Sequence, residues 1–177
     1  MNIYDPVFSS SQAAKAAGMT ATNFRAHLAR GNWRIIGGDK GGHAAEAFGK
    51  GHFFTIYDVL GYALAHRLVL RGVEPKMAFE RAMYDFAHSG DPERDPGGIF
   101  NPDKHGLTLF VYTPGLPTSM CVGSSSIGDA MMLLYPPGYN RASEAIVISI
   151  NDLRDRVFQS LGLDARDYEK GVLNGQR

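Results

Sequence analysis

The chain has 177 residues, with 18 lysines and arginines balanced by 18 aspartates and glutamates. This length accommodates one domain or two small ones, and no apolar run is long enough to cross a bilayer. The start, MNIYDPVFSSS, lacks a secretory-signal pattern and the single Cys121 excludes an internal disulfide, so we expect a cytoplasmic protein with no membrane association.

The stretch from Ser9 to Trp33 predicts two short helices separated by a tight turn. A serine among residues 9–11 can cap the first helix, because its hydroxyl accepts a hydrogen bond from an unpaired backbone N–H. Gly18 ends that helix in a left-handed conformation. Thr20 or Thr22 can cap the second helix, which ends at Gly31. Two small helices around a glycine-containing turn are typical of a helix-turn-helix.

The second helix separates apolar from polar side chains. Its apolar seam towards the first helix consists of Met19, Phe24 and Leu28. Its other faces carry Asn23, Arg25, His27 and Arg30.

A hairpin wing is predicted next. Trp33–Ile36 and His52–Thr55 have strand character, and the glycine-rich segment between them bears Lys40, His43 and Lys50. A phosphate-binding nucleotide loop is the less favoured alternative, since a GK[ST] ending and a preceding buried strand are both missing. A metal site at the loop histidines is also disfavoured, because no second pair stands at ligand spacing.

Two longer helices follow the wing. Thr55 or Asp58 starts the strongest helix signal, which ends at Gly72. Pro75 then opens a second helix, which Gly90 stops, because proline suits the first helical turn.

A second unit is predicted towards the C-terminus. Residues 91–106 are rich in proline, glycine and aspartate and indicate a linker or irregular loop. Strands are predicted at 107–112, 119–122 and 145–150, and Asn151 or Asp152 caps a terminal helix.

The order of these N-terminal elements resembles the MerR-type winged-helix family over about residues 9–88. Gly18-Met19-Thr20 is similar to the family's turn, Arg25 to its recognition-helix arginine, and Arg30-Gly31 to the end of that helix. Phe53-Phe54 resembles the aromatic pair that closes the wing, Asp58 the acid that starts the next helix, and Arg71-Gly72-Val73 the following turn. His52 replaces the family's wing arginine and no heptad run follows Gly90, so we do not expect the family's usual metal or oxidant sensing.

The expected fold class is therefore α+β. A MerR-like winged helix-turn-helix occupies residues 1–90, a linker or irregular loop residues 91–106, and a small α/β unit with a few strands and a terminal helix residues 107–177. That last unit is expected to dimerise or to bind a ligand or partner. Catalysis is not expected, because no local signature surrounds Cys121 with His105, or Ser124–Ser126 with Asp129.

Charge is distributed unevenly along the neutral chain. Residues 1–71 carry eight basic and four acidic side chains, whereas the remainder carries ten basic and fourteen acidic ones. A basic N-terminal part suits contact with phosphates. We therefore predict a sequence-specific double-stranded DNA-binding protein, a homodimeric transcriptional regulator that needs no cofactor and leaves room for an unidentified small-molecule effector.

Specific roles follow from the geometry of a recognition helix in the major groove. Asn23 and Arg25 are expected at base edges, and His27 at a base or a phosphate. We expect Thr20, Thr22 and Arg30 to contact DNA phosphates and so to fix the register of the helix on the duplex. The wing is expected to contact the DNA through Lys40, His43 and Lys50. Two alternatives stay open: a phage-type or architectural DNA-binding factor, such as an excisionase or a small terminase subunit, and a protein-interaction adaptor that does not bind DNA.

Overall fold

A computed structural model describes residues 5–35, 52–89, 91–95, 97–116, 119–128 and 144–164. The helices are α1 (Ser10–Ala16), α2 (Ala21–Ala29), α3 (Ile56–Val69), α4 (Pro75–Ala82), α5 (Pro102–His105) and α6 (Ile150–Leu161). The strands are β1 (Phe8–Ser9), β2 (Phe53–Phe54), β3 (Thr108–Tyr112), β4 (Met120–Gly123) and β5 (Ile146–Ser149). A π-helical turn at Met83–Ala87 follows α4, and a 3₁₀ turn at Ser124–Ser126 follows β4. This mixture of helices and small antiparallel sheets agrees with the α+β prediction.

The first two predicted helices are present, and local hydrogen bonds define their ends. Ser9 caps α1 in a capping box with Gln12, and the Thr20 hydroxyl accepts a hydrogen bond from the Asn23 N–H, 3.2 Å away, at the start of α2. Gly18 and Gly31 have positive φ angles of 76° and 69°, which glycine adopts without the steric cost of a Cβ atom. Both glycines therefore act as the helix terminators that the sequence predicts.

The strand partner of the predicted wing is different from the one expected. Phe53–Phe54 pairs antiparallel with Phe8–Ser9, and residues 33–35 form no strand. The predicted pairing with Trp33–Ile36 is therefore wrong for the part of that segment that the structure describes. The reason is tertiary: the Trp33 ring is buried, and the Tyr62 hydroxyl donates a hydrogen bond to the Arg34 carbonyl oxygen. The loop at residues 36–51 lies outside the described residues.

The centre of the fold is α3. Thr55 caps it in a capping box with Asp58, and buried side chains cover nearly its whole circumference from Ile56 to Leu68. A helix that is apolar all round must be surrounded by other elements. At Gly61 the π-helical turn approaches so closely that a Cβ atom would overlap the Met83 sulfur.

The C-terminal strands and helix lie where the sequence predicts them. β3 is the middle strand of an antiparallel sheet with the order β4-β3-β5. The cap of α6 is Ser149 rather than Asn151 or Asp152, and the helix ends at Gly162 in a left-handed conformation. Asn151 has another partner, since its side-chain oxygen accepts a hydrogen bond from the Thr108 N–H at 2.7 Å.

The two predicted units share a hydrophobic core. Side chains of α6 (Leu153, Val157 and Phe158) belong to the same apolar cluster as side chains of α1 and α3. The predicted linker is also compact, because it contains α5 and the buried Arg94, whose guanidinium donates to the Phe86 carbonyl and the Ser89 hydroxyl. α6 therefore shares one apolar cluster with the N-terminal helices, and a small second cluster around Val111 and Val122 lies within the C-terminal sheet. No helix in the described part of the chain has the length and apolar character to cross a membrane.

Candidate nucleic-acid interface

The outer surface of α2 carries most of the predicted contact residues. Five of them are exposed: Thr20, Thr22, Asn23, Arg25 and Arg30. Among the described residues, neither Arg25 nor Arg30 has an ion-pair partner. A surface ion pair is the other common role of an exposed arginine, and Arg25 has no partner for one within the described ranges.

The sequence around α2 contains no acidic side chain for more than thirty residues. Between Asp5 and Asp39 the charged residues are all basic: Lys15, Arg25, Arg30 and Arg34. Clustered positive charge attracts polyanions. Arg25 of α2 and Arg30 at its C-terminal cap lie inside this run.

Phe24 determines which face of α2 points outwards. Its side chain is completely buried and meets the rings of Trp33, Phe54 and Tyr62 edge-on, at centroid distances of 6.0, 5.7 and 4.8 Å. With about 100° of rotation per residue, Arg25 lies well to the side of Phe24, and Thr22 lies nearly opposite it. Burial of one aromatic ring therefore orients the polar side chains of α2 towards solvent.

Trp33 anchors the residues that follow α2. Its indole N–H donates a hydrogen bond to the Pro75 carbonyl oxygen at 3.1 Å, and its ring is 1% exposed. A Trp ring has a large apolar surface and one polar N–H group. Here the apolar surface is buried and the N–H group has a hydrogen-bond acceptor. The sequence pattern predicts a strand at Trp33 and does not indicate this anchoring role. The available signal was its position as the only tryptophan, two residues after the glycine that ends the helix.

The structure gives His27 a packing role. It follows Phe24 by three residues and shares its side of α2, and its ring stacks on Trp33 at a centroid distance of 4.4 Å and an interplanar angle of 12°. Burial and the nearby charge of Arg30 lower the pKa of His27, which favours the neutral ring. We therefore leave His27 out of the proposed DNA contacts.

The predicted wing contacts Lys40, His43 and Lys50 lie outside the described residues. Arg34 is described at the start of this segment and was not among the predicted contacts. It is exposed, and its guanidinium carbon lies 6.0 Å from the centroid of the Tyr84 ring. As an exposed cation directly after Trp33, it is a further candidate for phosphate contact.

Among the described nucleophile-like residues of the C-terminal part, Cys121 is a free thiol, and Ser124 and Ser125 have hydrogen-bond partners. Burial raises the pKa of the Cys121 thiol to about 11, so the thiol is protonated at neutral pH and is a poor nucleophile. The Ser124 hydroxyl accepts a hydrogen bond from the Leu107 N–H, and the Ser125 hydroxyl donates to the His105 carbonyl oxygen. Asp129 lies outside the described residues.

Comparisons of the chain with protein-family models, with curated proteins and with solved structures find no match. The resemblance to the MerR-type family therefore stays a prediction from the sequence.

Proposed function

We propose that this protein binds double-stranded DNA in a sequence-specific manner and that α2 is its recognition helix. The observation that carries the proposal is the solvent-facing set of polar and basic side chains on α2, held in place by the buried ring of Phe24. The absence of acidic residues from the sequence between Asp5 and Asp39 adds electrostatic support, because a duplex presents a dense row of phosphates.

The proposed contacts divide into base and phosphate contacts. Arg25 pairs with a guanine edge and Asn23 with an adenine edge, and each such bidentate contact supplies about 1–3 kcal/mol of discrimination. Thr20, Thr22 and Arg30 contact phosphates and maintain the register of the helix. The Thr20 hydroxyl accepts the N-cap hydrogen bond and still has a proton to donate.

A single helix pair has a small footprint on DNA, so we also propose a homodimer that binds two half-sites. Such a dimer would act as a transcriptional regulator. The spacing of the half-sites provides the test, because a dimer with twofold symmetry requires a palindrome with centres about one helical turn apart.

The decisive experiment is selection of bound fragments from a genomic DNA library, followed by footprinting. We expect one enriched motif with two inverted half-sites. Directly repeated sites or bent DNA would instead favour the architectural factor. The Arg25→Ala variant should lose the enrichment, whereas Arg71→Gln, a change of an exposed arginine at the end of α3, should retain it. Absence of any enriched DNA, with no salt-dependent binding to a duplex, would refute the proposal.

A further inference from the structure

A basic cavity lies where α1, α3 and α6 meet. It has a volume of about 290 Å³, and its polar wall includes Lys15, His66, Arg67, Arg156 and Ser160. None of the described residues that line it is acidic, and none belongs to α2. The cavity is therefore separate from the proposed DNA-reading surface.

Much of the positive charge at this cavity is not neutralised. Lys15 and Arg67 have no ion-pair partner among the described residues, and Arg156 pairs with Asp152 at 2.9 Å. The Nδ1 atom of His66 is buried and lacks a hydrogen-bond partner within the described ranges, while the Gly18 backbone interacts with the same ring and partly offsets the lowering of its pKa. Grouping cations without acids costs free energy through repulsion, and an anion between them removes that cost.

The rest of the wall is apolar. Ala63, Leu153 and Val157 supply an aliphatic floor, and Leu70, which is 64% exposed, lies at the cavity as well. A few convergent polar groups over an apolar floor are typical of small-molecule sites, whose volumes begin at roughly 300 Å³. The size suits a small metabolite better than a large cofactor.

We propose that this cavity binds a small organic anion through a carboxylate or phosphate group. Lys15 and Arg67 provide charge-assisted hydrogen bonds to the anionic oxygens, the Ser160 hydroxyl provides a neutral donor, and the aliphatic floor accepts the carbon skeleton of the ligand. The ligand would contact the turn before α2 at Ala17–Gly18 and the terminal helix α6 at the same time.

Nuclear magnetic resonance on the ¹⁵N-labelled full chain tests the proposal, with inorganic phosphate and citrate as probes and chloride at equal ionic strength as the reference. We expect both probes to shift the amide signals of Gly18, Arg67 and Ser160 saturably. The His66 pKa, which burial, Arg67 and His27 lower in the free protein, should rise when an anion is bound.

Variants identify the cations involved. Arg67→Gln and Lys15→Gln should each weaken phosphate binding about tenfold, because each removes a charge-assisted hydrogen bond. The matched control is Arg71→Gln, one helical turn after Arg67 and absent from the cavity wall. Lys15 is exposed, so its variant reports on binding even if Arg67→Gln unfolds the chain.

Three results would overturn the proposal. The first is the absence of saturable shifts at the cavity, and the second is a weakening of phosphate binding by Arg71→Gln equal to that by Arg67→Gln. The third is displacement of bound phosphate from the cavity by a DNA duplex, because the occupant would then be a backbone phosphate. Since the anion titration contains no DNA, failure to find a DNA site leaves this test of the cavity intact.

Discussion

The imidazole of His27 lies parallel to the indole of Trp33, with 4.4 Å between the ring centroids. The His27 carbonyl oxygen also accepts hydrogen bonds from the N–H groups of Asn32 and Trp33, at 3.1 and 3.2 Å. These contacts fold the chain back after α2 and direct the tryptophan into the aromatic cluster with Phe24 and Tyr62. The His27–Trp33 ring pair and the two backbone hydrogen bonds therefore help to attach the end of the proposed recognition helix to the core.

Removal of the Trp33 ring should destabilise the protein strongly. We expect Trp33→Ala to cost about 3–5 kcal/mol of unfolding free energy, because it leaves a cavity and an unused Pro75 carbonyl acceptor. Trp33→Phe should cost less, since it retains a stacking ring. Urea denaturation followed by circular dichroism measures both, with Leu70→Ala at a largely exposed position as the control. A loss below about 1 kcal/mol for Trp33→Ala would contradict the role of this ring.

Gly18 should be required for its backbone conformation alone. No heavy atom lies within 4 Å of the position of an added Cβ, but the φ angle is +76°. We expect Gly18→Ala to destabilise the chain by about 1–2 kcal/mol through left-handed strain. Gly128→Ala is the matched control, since it also meets open space and has no positive φ. Equal thermal midpoints for the two variants would show that the turn relaxes without cost.

Stability should decrease as the pH falls below neutrality. Burial is the main cause of the lowered pKa values of His27 and His66, with smaller contributions from Arg30 and Arg67 respectively. The unfolded chain therefore binds protons first, below the ordinary histidine pKa of about 6.5. The stabilisation that comes from burying His27 and His66 in their neutral forms is complete above this pH. It is lost as the pH falls through the lowered pKa values that these histidines have in the folded state.

Denaturation midpoints between pH 7.5 and pH 5.5 measure this effect, in a range where carboxylates contribute little. We expect the double variant His27→Phe, His66→Gln to show a flatter pH profile than the natural chain. His52→Gln, which removes a histidine at an exposed position, is the matched control. An unchanged slope in the double variant would assign the acid sensitivity to other groups.

The two exposed arginines of α2 should affect DNA binding differently. Arg25→Ala should reduce affinity for the selected site by about 1–3 kcal/mol and relax base preference at one position. Arg30→Ala should weaken binding to all DNA sequences alike and reduce the slope of log affinity against log salt concentration by about 1. Fluorescence anisotropy at several salt concentrations separates the two effects. Identical behaviour of both variants would argue against a base contact by Arg25.

The helix ends of the N-terminal half were predictable because each depends on residues close together in the chain. Ser9, Thr20 and Thr55 bond to an N–H three residues later, and Gly18 and Gly31 have the positive φ angles expected of terminators. The exposure of Arg25 follows from the same local logic, because the burial of Phe24 determines the orientation of the helix. The cap of α6 was misplaced, since Asn151 is occupied by a bond to β3.

By itself, the sequence determined the caps of the first three helices, the approximate positions of the strands of the C-terminal half, and that one segment is free of acids. Only the tertiary structure decided that Phe53–Phe54 pairs with Phe8–Ser9, that Trp33 is a core residue, and that α6 joins α1 and α3 around a basic cavity. The physical reason is the distance along the chain over which each kind of interaction acts. Caps and turns depend on hydrogen bonds within a few residues, whereas strand partners and shared cores depend on competition among all the apolar surfaces of the chain.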